Sequence, residues 1–319
     1  MRHQAQISLV IPFLNEQETL ASLVEKLSRF LEATPALPKV EVIFVDDGST
    51  DRSVEILRNL AGRVPFDALL VRLSKNYGTH AALRAGIFKA RGKWITNNYA
   101  DLQDPLELLP QLYEKCMEGF DLVWANRRST KAKFFEKTFS NMYAWLIRKF
   151  VDRRYPEMGL DIVMFNHKVK SELDQNPESN TSLFLQIMSL GFAQGQIVYD
   201  KRERQAGQSK WTTAKKVKLL IDTFVSFSYA PIRFVSVIGL VLFVIGILWT
   251  IYLVLRVTLV GDLNTGWPAL MSVALLGFGT TNISLGIIAE YLWRILDASR
   301  KRSTYIVDSV VDLSSEGAP

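Results

Sequence analysis

The chain has 319 residues, 48% of them hydrophobic, with 38 Lys and Arg against 32 Asp and Glu for a net charge of +6. A single cysteine, Cys116, rules out an intrachain disulfide, and His3, His80 and His167 show no zinc-ligand spacing. The basic excess suits an anionic membrane surface or anionic substrates, while the clearest basic cluster lies beside a long apolar run, so no nucleic-acid partner is expected.

From the N-terminus, short β-branched runs alternate with amphipathic stretches. Met1–Phe13 lacks a long apolar core and a small-residue cleavage site, and is not a signal peptide. Ile7–Pro12 predicts a strand, and Glu16–Leu31 a helix with Leu20, Leu23, Leu27 and Phe30 or Leu31 on one face. Val40–Val45 is a second strand before a helix over Asp51–Leu60. Leu69–Leu73 and Thr79–Ala90 repeat the unit. Trp94–Asn97 is a fourth strand, followed by a helix opening at Pro105 and ending near Gly119, and Leu122–Ala125 is a fifth. This alternation predicts an α/β fold, a mostly parallel sheet with helices on both faces. In such sheets ligands sit outside the carboxyl ends of the strands.

Each strand is followed by a polar turn. These are Pro12-Phe13-Leu14-Asn15-Glu16, Asp46-Asp47-Gly48-Ser49-Thr50-Asp51, Ser74-Lys75-Asn76-Tyr77-Gly78, Tyr99 to Pro105, and Asn126-Arg127-Arg128. Singly they read as caps: Ser49 or Thr50 before Asp51, and Asp104 with Pro105 at the first helical position. Five on one edge predict a polar ligand site. Asp101 and Gln103 alternate along the chain, so both can offer hard oxygens to one cation. Mg²⁺ favours one or two carboxylates plus phosphate oxygens and water. Joined to Asp46-Asp47 and Arg127-Arg128, the pair describes a site for a metal-bound diphosphate. No Gly-rich Lys-Ser/Thr loop is present, so this is not a P-loop protein.

The last third differs. In Thr212–Ala230, Val217, Leu219, Leu220, Thr223, Phe224 and Phe227 form an apolar stripe, with Lys215, Lys216 and Lys218 near its start. That suits a helix lying in a membrane interface, the alternative being a solvated linker helix. Phe234–Leu255 then runs 22 residues without a charge, bounded by Arg233 and Arg256. Trp267–Ala289 runs 23, closed by Glu290, with the short linker Gly261–Gly266 before it. Each is long enough to cross a hydrocarbon core of about 30 Å. A hairpin buried in a large soluble protein is the alternative. Lys210, Lys215, Lys216, Lys218 and Arg233 precede the hairpin and Arg294, Arg300, Lys301 and Arg302 follow it. The linker carries only Asp262, so both termini and the catalytic part are expected on the cytoplasmic side. Gly239 and Gly246, and Gly279 and Gly286, repeat at seven residues, and with Asn282 they predict homo-oligomer contacts.

The residues Val10-Ile11-Pro12…Asn15-Glu16, Val45 to Asp51, Asn76-Tyr77-Gly78 with Ala81-Ala82-Leu83…Ala85-Gly86, and Ala100-Asp101-Leu102-Gln103-Asp104-Pro105 resemble family 2 glycosyltransferases of GT-A fold. Arg204…Gly207-Gln208-Ser209-Lys210-Trp211, then Phe227-Ser228…Pro231-Ile232-Arg233 and two apolar spans, extend the resemblance to the polyprenyl-phosphate glycosyltransferases. That group includes dolichol-phosphate mannose synthases, bactoprenol glucosyltransferases and undecaprenyl-phosphate aminoarabinose transferases. The chain departs from the pattern at Tyr99, where many relatives carry Asp, and at Val163, where the family segment has Arg.

The resemblance implies inverting transfer of a sugar from a nucleotide-sugar, of UDP-hexose type such as UDP-glucose, to undecaprenyl or another polyprenyl phosphate. It implies Mg²⁺ or Mn²⁺ on Asp101 and Gln103, nucleotide contacts from Pro12, Asn15, Glu16, Asp46, Asp47 and Tyr99, and catalytic roles for Asp101, Asp161, Arg127 and Arg128. Arg204, Ser209 and Lys210 would hold diphosphate or acceptor phosphate. The expected organisation is a GT-A domain over 1–211, an interfacial helix over 212–232, two transmembrane helices over 233–293 and a cytoplasmic tail over 294–319, integral to a bacterial inner membrane. A processive polysaccharide synthase shares the catalytic domain but would need more spans and a Gln-x-x-Arg-Trp motif. A catalytically idle homologue acting as a membrane partner is the other alternative.

Overall fold

The computed structural model describes residues 5–101, 103–128, 142, 144–149, 152–156, 160–178, 182–200, 230–260, 266–299 and 303–314. The chain divides into two compact units, Met1–Val217 with Ser303–Pro319, and Lys218–Arg302.

The first unit is an α/β layer structure. Its strands are β1 (Ile7–Phe13), β2 (Val40–Asp46), β3 (Asp67–Leu73), β4 (Trp94–Asn97), β5 (Leu122–Arg127), β6 (Ile162–Asn166), β7 (Gln194–Tyr199) and β8 (Val307–Asp312). Its helices are α1 (Leu20–Ala33), α2 (Ser53–Asn59), α3 (Thr79–Lys89), α4 (Leu108–Met117), α5 (His167–Gln175) and α6 (Leu183–Ser189). The strands form one sheet in the order β7-β5-β6-β4-β1-β2-β3-β8. Only β6 and β8 run against the others. Reversal of β6 matters for the site, because it brings the start of that strand to the edge where β4 and β5 end.

β1 is buried at all seven positions, and its near-continuous apolar run is what a strand covered on both faces requires. One face packs on α1, α2 and α4 through Leu20, Leu23, Leu27, Leu57, Leu109 and Leu112. α3 covers β1 and β2 from the other side. There Gly86 lets the helix approach the sheet: a Cβ would run into Val10 and lie 2.9 Å from Val45 Cγ2. Near the start of α3, His80 stacks edge-on against Phe184 of α6, ring centroids 5.6 Å apart. Its Nδ1 is buried without a hydrogen-bond partner among the described residues. Burial pushes the imidazole pKa down to about 4, and the charge of Arg84 one turn on reinforces this.

Within the segment expected to be a tail over 294–319, Val307–Asp312 instead forms β8, an antiparallel strand on the outer edge of β3. Leu313 N donates to Ala68 O at 2.9 Å and Ser74 N to Ile306 O at 3.0 Å, so the pairing is anchored at both ends. The sequence Val-Asp-Ser-Val-Val-Asp alternates half-buried and exposed positions, as an edge strand with one covered face does.

The second unit contains α7 (Ala230–Val260, 31 residues) and α8 (Trp267–Ser299, 33 residues), which include both uncharged runs. Side chains at several positions within them fall outside the described residues. Among the described residues, no helix is long and apolar enough to cross a membrane.

Candidate active site

The expected nucleotide residues gather at the ends of β1 and β2. Pro12 is buried within β1 opposite Val45, and Phe13 pairs with Asp46. Asp46 is fully buried; its Oδ1 accepts from Ser49 N at 2.8 Å, and its Oδ2 lies 3.3 Å from Arg72 Nε on β3. Asp47, 4% exposed, accepts from the amides of Tyr77 at 2.8 Å and Gly78 at 3.0 Å. Gly48 joins them in the left-handed region at φ 78°, where a Cβ would sit 2.7 Å from Asn76 N. Only glycine meets both demands.

Asn15 is itself left-handed at φ 49°. Its amide donates to Ser49 Oγ at 2.9 Å and its Oδ1 accepts from Thr50 N at 2.8 Å. Glu16 N donates to Ser53 Oγ at 2.8 Å, and the Glu16 carboxylate accepts from the Thr19 hydroxyl at 3.1 Å. The loops after β1, β2 and β3 are therefore bonded to one another. This is why α1 begins at Leu20 and not Glu16. Neither Ser49 nor Thr50 caps α2: the cap position is Arg52, which makes no side-chain cap bond, and Asp51 Oδ1 accepts from Ser53 N at 3.0 Å.

The second group lies at the ends of β4 and β5 and the start of β6. Asp101 and Gln103 are half-buried in the β4–α4 loop, where Gln103 N donates to Asp101 Oδ1 at 3.2 Å. Arg127, 22% exposed at the end of β5, is ion-paired with Asp161, 23% exposed just before β6. Asn97 positions that acid: its Nδ2 donates to Asp161 O at 2.8 Å and its Oδ1 accepts from Val163 N at 3.2 Å. Tyr99 ties the group together electrostatically. Burial raises its phenol pKa above the ordinary range, with Asp104 and Asp101 adding to the effect and Arg127 opposing it. The phenol therefore stays neutral between acids and an arginine. Val163 is buried in β6 opposite Trp124.

Arg128 stands apart from Arg127. Successive strand residues face opposite ways, and its guanidinium is 69% exposed and 3.4 Å from Asp200. Arg204, Ser209, Lys210 and residues 212–229 of the interfacial helix expected over 212–232 lie outside the described residues, and residues 230–232 open α7. Two interactions had no local sequence signal. One is the Asn97 bridge. The other is the bond from Tyr199 Oη to Asp104 Oδ1, 2.6 Å long with both residues buried. Asp104 does not begin a helix at Pro105, since α4 starts at Leu108.

Chemically, the Asp101 carboxylate and Gln103 carboxamide are hard oxygen donors of the kind that could hold a divalent cation such as Mg²⁺. Arg127 places a fixed positive charge within electrostatic reach of that loop. The edge can thus hold an anion with separated charges.

Residues 8–170 match the glycosyl transferase family 2 profile. The uncharacterized glycosyltransferase YkcC of Bacillus subtilis is 34% identical over 309 residues, covering 96% of this chain and 94% of its own length. The undecaprenyl-phosphate 4-deoxy-4-formamido-L-arabinose transferase of Proteus mirabilis is 31% identical over 313 residues, covering 96% and 94%. Among solved structures, glucosyl-3-phosphoglycerate synthase of Mycobacterium tuberculosis superposes with a TM-score of 0.51 at 20% identity, over 69% of this chain and 79% of that one, which supports the α/β GT-A fold.

Proposed function

The chain belongs to glycosyl transferase family 2, and from that premise we propose that this glycosyltransferase moves a sugar from a nucleotide-sugar to the phosphate of undecaprenyl or a similar polyprenol, inverting the anomeric carbon. The observation that carries the proposal is the placing of Asp101 and Gln103 on the same edge as the Arg127–Asp161 pair. The nature of the acceptor is supported by the Proteus mirabilis relative, whose similarity extends over 96% of the chain and so beyond the catalytic unit.

The acceptor is a phosphate monoester with a second pKa of about 6, largely a dianion at neutral pH. It needs placement and partial desolvation more than a base. Asp161, fixed by Asn97 and Arg127, orients the sugar or acceptor. Arg127 meets the negative charge that grows on the departing diphosphate. Asp46, Asp47, Asn15 and Glu16 form the nucleoside end, with Pro12 beneath. When bound, Mg²⁺ or Mn²⁺ on Asp101 and Gln103 would neutralise diphosphate charge. Arg204, Ser209 and Lys210 would hold acceptor phosphate.

The donor we expect is a UDP-hexose such as UDP-glucose. A nucleotide-linked 4-deoxy-4-formamido-L-arabinose is the second reading, favoured by the activity for which the 31% identical Proteus mirabilis relative is named. Full-length protein in nanodiscs, given undecaprenyl phosphate, Mg²⁺ and a panel of nucleotide-sugars, should yield a lipid-linked monosaccharide from one donor. Sugar release without lipid product from every donor would refute the proposal.

A bacterial inner-membrane site follows from the same reading. The full sequence supplies two uncharged runs within α7 and α8. Many large apolar side chains there are exposed, among them Leu240, Leu248, Phe278 and Ile283 at 61–71%. Lipid is the solvent in which such surfaces are at low cost. Among the described residues, a Cβ on Gly239, Gly246, Gly279 or Gly286 would meet nothing within 4 Å, and such small-residue faces suit close packing against a second copy. Asn264→Cys in a Cys116→Ser background should react with an impermeant thiol reagent from outside the cell. Labelling only after lysis would reverse the topology.

A further inference from the structure

Asp104 is 4% exposed, three residues after Asp101, and it does not cap α4, while Asp101 and Gln103 are half-buried. The loop is a turn, in which Gln103 N bonds back to Asp101 Oδ1 at 3.2 Å. Asp104 is buried where its neighbour Gln103 is half-buried. What meets Asp104 inside is Tyr199, the last residue of β7, whose hydroxyl donates to Oδ1 at 2.6 Å. Tyr199 has a second attachment. It lies opposite Arg127 in the β5–β7 register, and its carbonyl accepts from Arg128 N at 2.8 Å. One residue therefore grips both the loop that carries the cation donors and the strand end that carries the arginine.

We propose that Tyr199 is a positioning residue of the transfer reaction: through its hydroxyl on Asp104 and its main chain on β5, it sets the spacing between the Asp101–Gln103 loop and Arg127. The inference rests on the proposed donor site and adds to it a residue that touches neither substrate. A hydroxyl bonded to a buried carboxylate in a site of low polarity is a strong and directional restraint. It fixes the loop at Asp104 without engaging Asp101 or Gln103. Burial and the neighbouring Asp104 keep the phenol protonated, so it remains a donor throughout the working pH range.

The test is Tyr199→Phe in the full chain, which deletes the hydroxyl and keeps the ring and the β5–β7 pairing. Free Mn²⁺ is read by electron paramagnetic resonance during titration in the presence of UDP, with GDP as a second probe. The variant should need roughly tenfold more Mn²⁺ for half-saturation, as expected for loss of one hydrogen bond to a charged group. Donor KM should rise more than kcat falls, and the melting temperature should move little. Half-saturation within twofold of wild type, together with earlier melting, would make the bond merely structural and overturn the proposal. Asp104→Asn is the second variant, held to the same criterion should Tyr199→Phe fail to fold. Wild-type protein that binds Mn²⁺ with neither nucleotide would instead overturn the donor site itself, and the inference with it.

Discussion

Asp47 and Asp161 stand on one sheet edge, yet the first is gripped by backbone amides and the second by an arginine side chain. Around β1 and β2, Asn15, Ser49, Ser53 and Asp47 bond to main-chain groups of neighbouring loops. Such bonds define loop shape, and a ligand cannot take them over without unravelling the loop. Around β4, β5 and β6 two of the charged groups are held by side chains, Arg127 by Asp161 and Asp104 by Tyr199, while Asp101 accepts from the local amide of Gln103. A side-chain ion pair can exchange one partner for a phosphate while the backbone stays still. Polar turns that look alike in sequence therefore divide into a half that shapes the pocket and a half that, on the proposed function, meets the reacting groups.

The largest effect that would break this division is at Arg127. Arg127→Met should leave the fold near intact but cut turnover on the order of 10²–10³, the range for losing one preorganised charge at a reacting centre. A loss under fivefold in a steady-state transfer assay would place Arg127 among the shaping residues. Asp161→Asn should cost about tenfold by disturbing placement. Activity should still rise through the lipid phosphate's ionisation near pH 6 and then stay flat. Were Asp161 a base, the loss should reach 10²–10⁴ and one limb of the pH profile should vanish.

A third effect lies away from the edge and concerns stability. His80 is held at about 4 in the folded protein against an ordinary value of 6.5, so between these values the unfolded chain binds the extra proton. Stability from this residue is full above pH 6.5 and falls as pH drops towards 4, by ~3 kcal/mol at most as an order of magnitude. His80→Phe should keep the stack on Phe184 and flatten the melting temperature over that window. An unchanged slope would show that His80 is not the titrating group. The smallest effect is expected for Arg128→Ala, within twofold in activity and stability, because an exposed pair with Asp200 contributes under about 1 kcal/mol. A tenfold fall in turnover would bring Arg128 back into the site.

Strands β1 to β5 and the α/β class were legible in the sequence because their signals are local: short apolar runs ended by polar turns. β8 was not, since Val307–Asp312 pairs with Leu69–Leu73 across more than 230 residues and its apolar content is that of an edge. Helix starts slipped for a related reason. Glu16, Asp51 and Asp104 look like first-turn or cap residues, but their side chains or amides are committed to contacts made only when the loops meet. At the site, Asp101, Gln103, Arg127 and Asp161 could be nominated from residue type, position and family resemblance. That Arg127 and not Arg128 meets Asp161 depends on the facing of β5 and the reversal of β6. The Tyr199–Asp104 bond depends on β5 pairing with β7, which no local pattern announced.

The most direct test of the division along the edge compares Asp47→Asn with Asp101→Asn, reading melting temperature and single-turnover transfer to undecaprenyl phosphate on the same preparations. Asp47→Asn should lose about 1–3 kcal/mol of stability, because the Tyr77 and Gly78 amides lose a charged acceptor. Asp101→Asn should melt with wild type yet lose transfer by on the order of 10³. An Asp101→Asn protein that turns over at near wild-type rate with Mg²⁺ or Mn²⁺ would contradict the account.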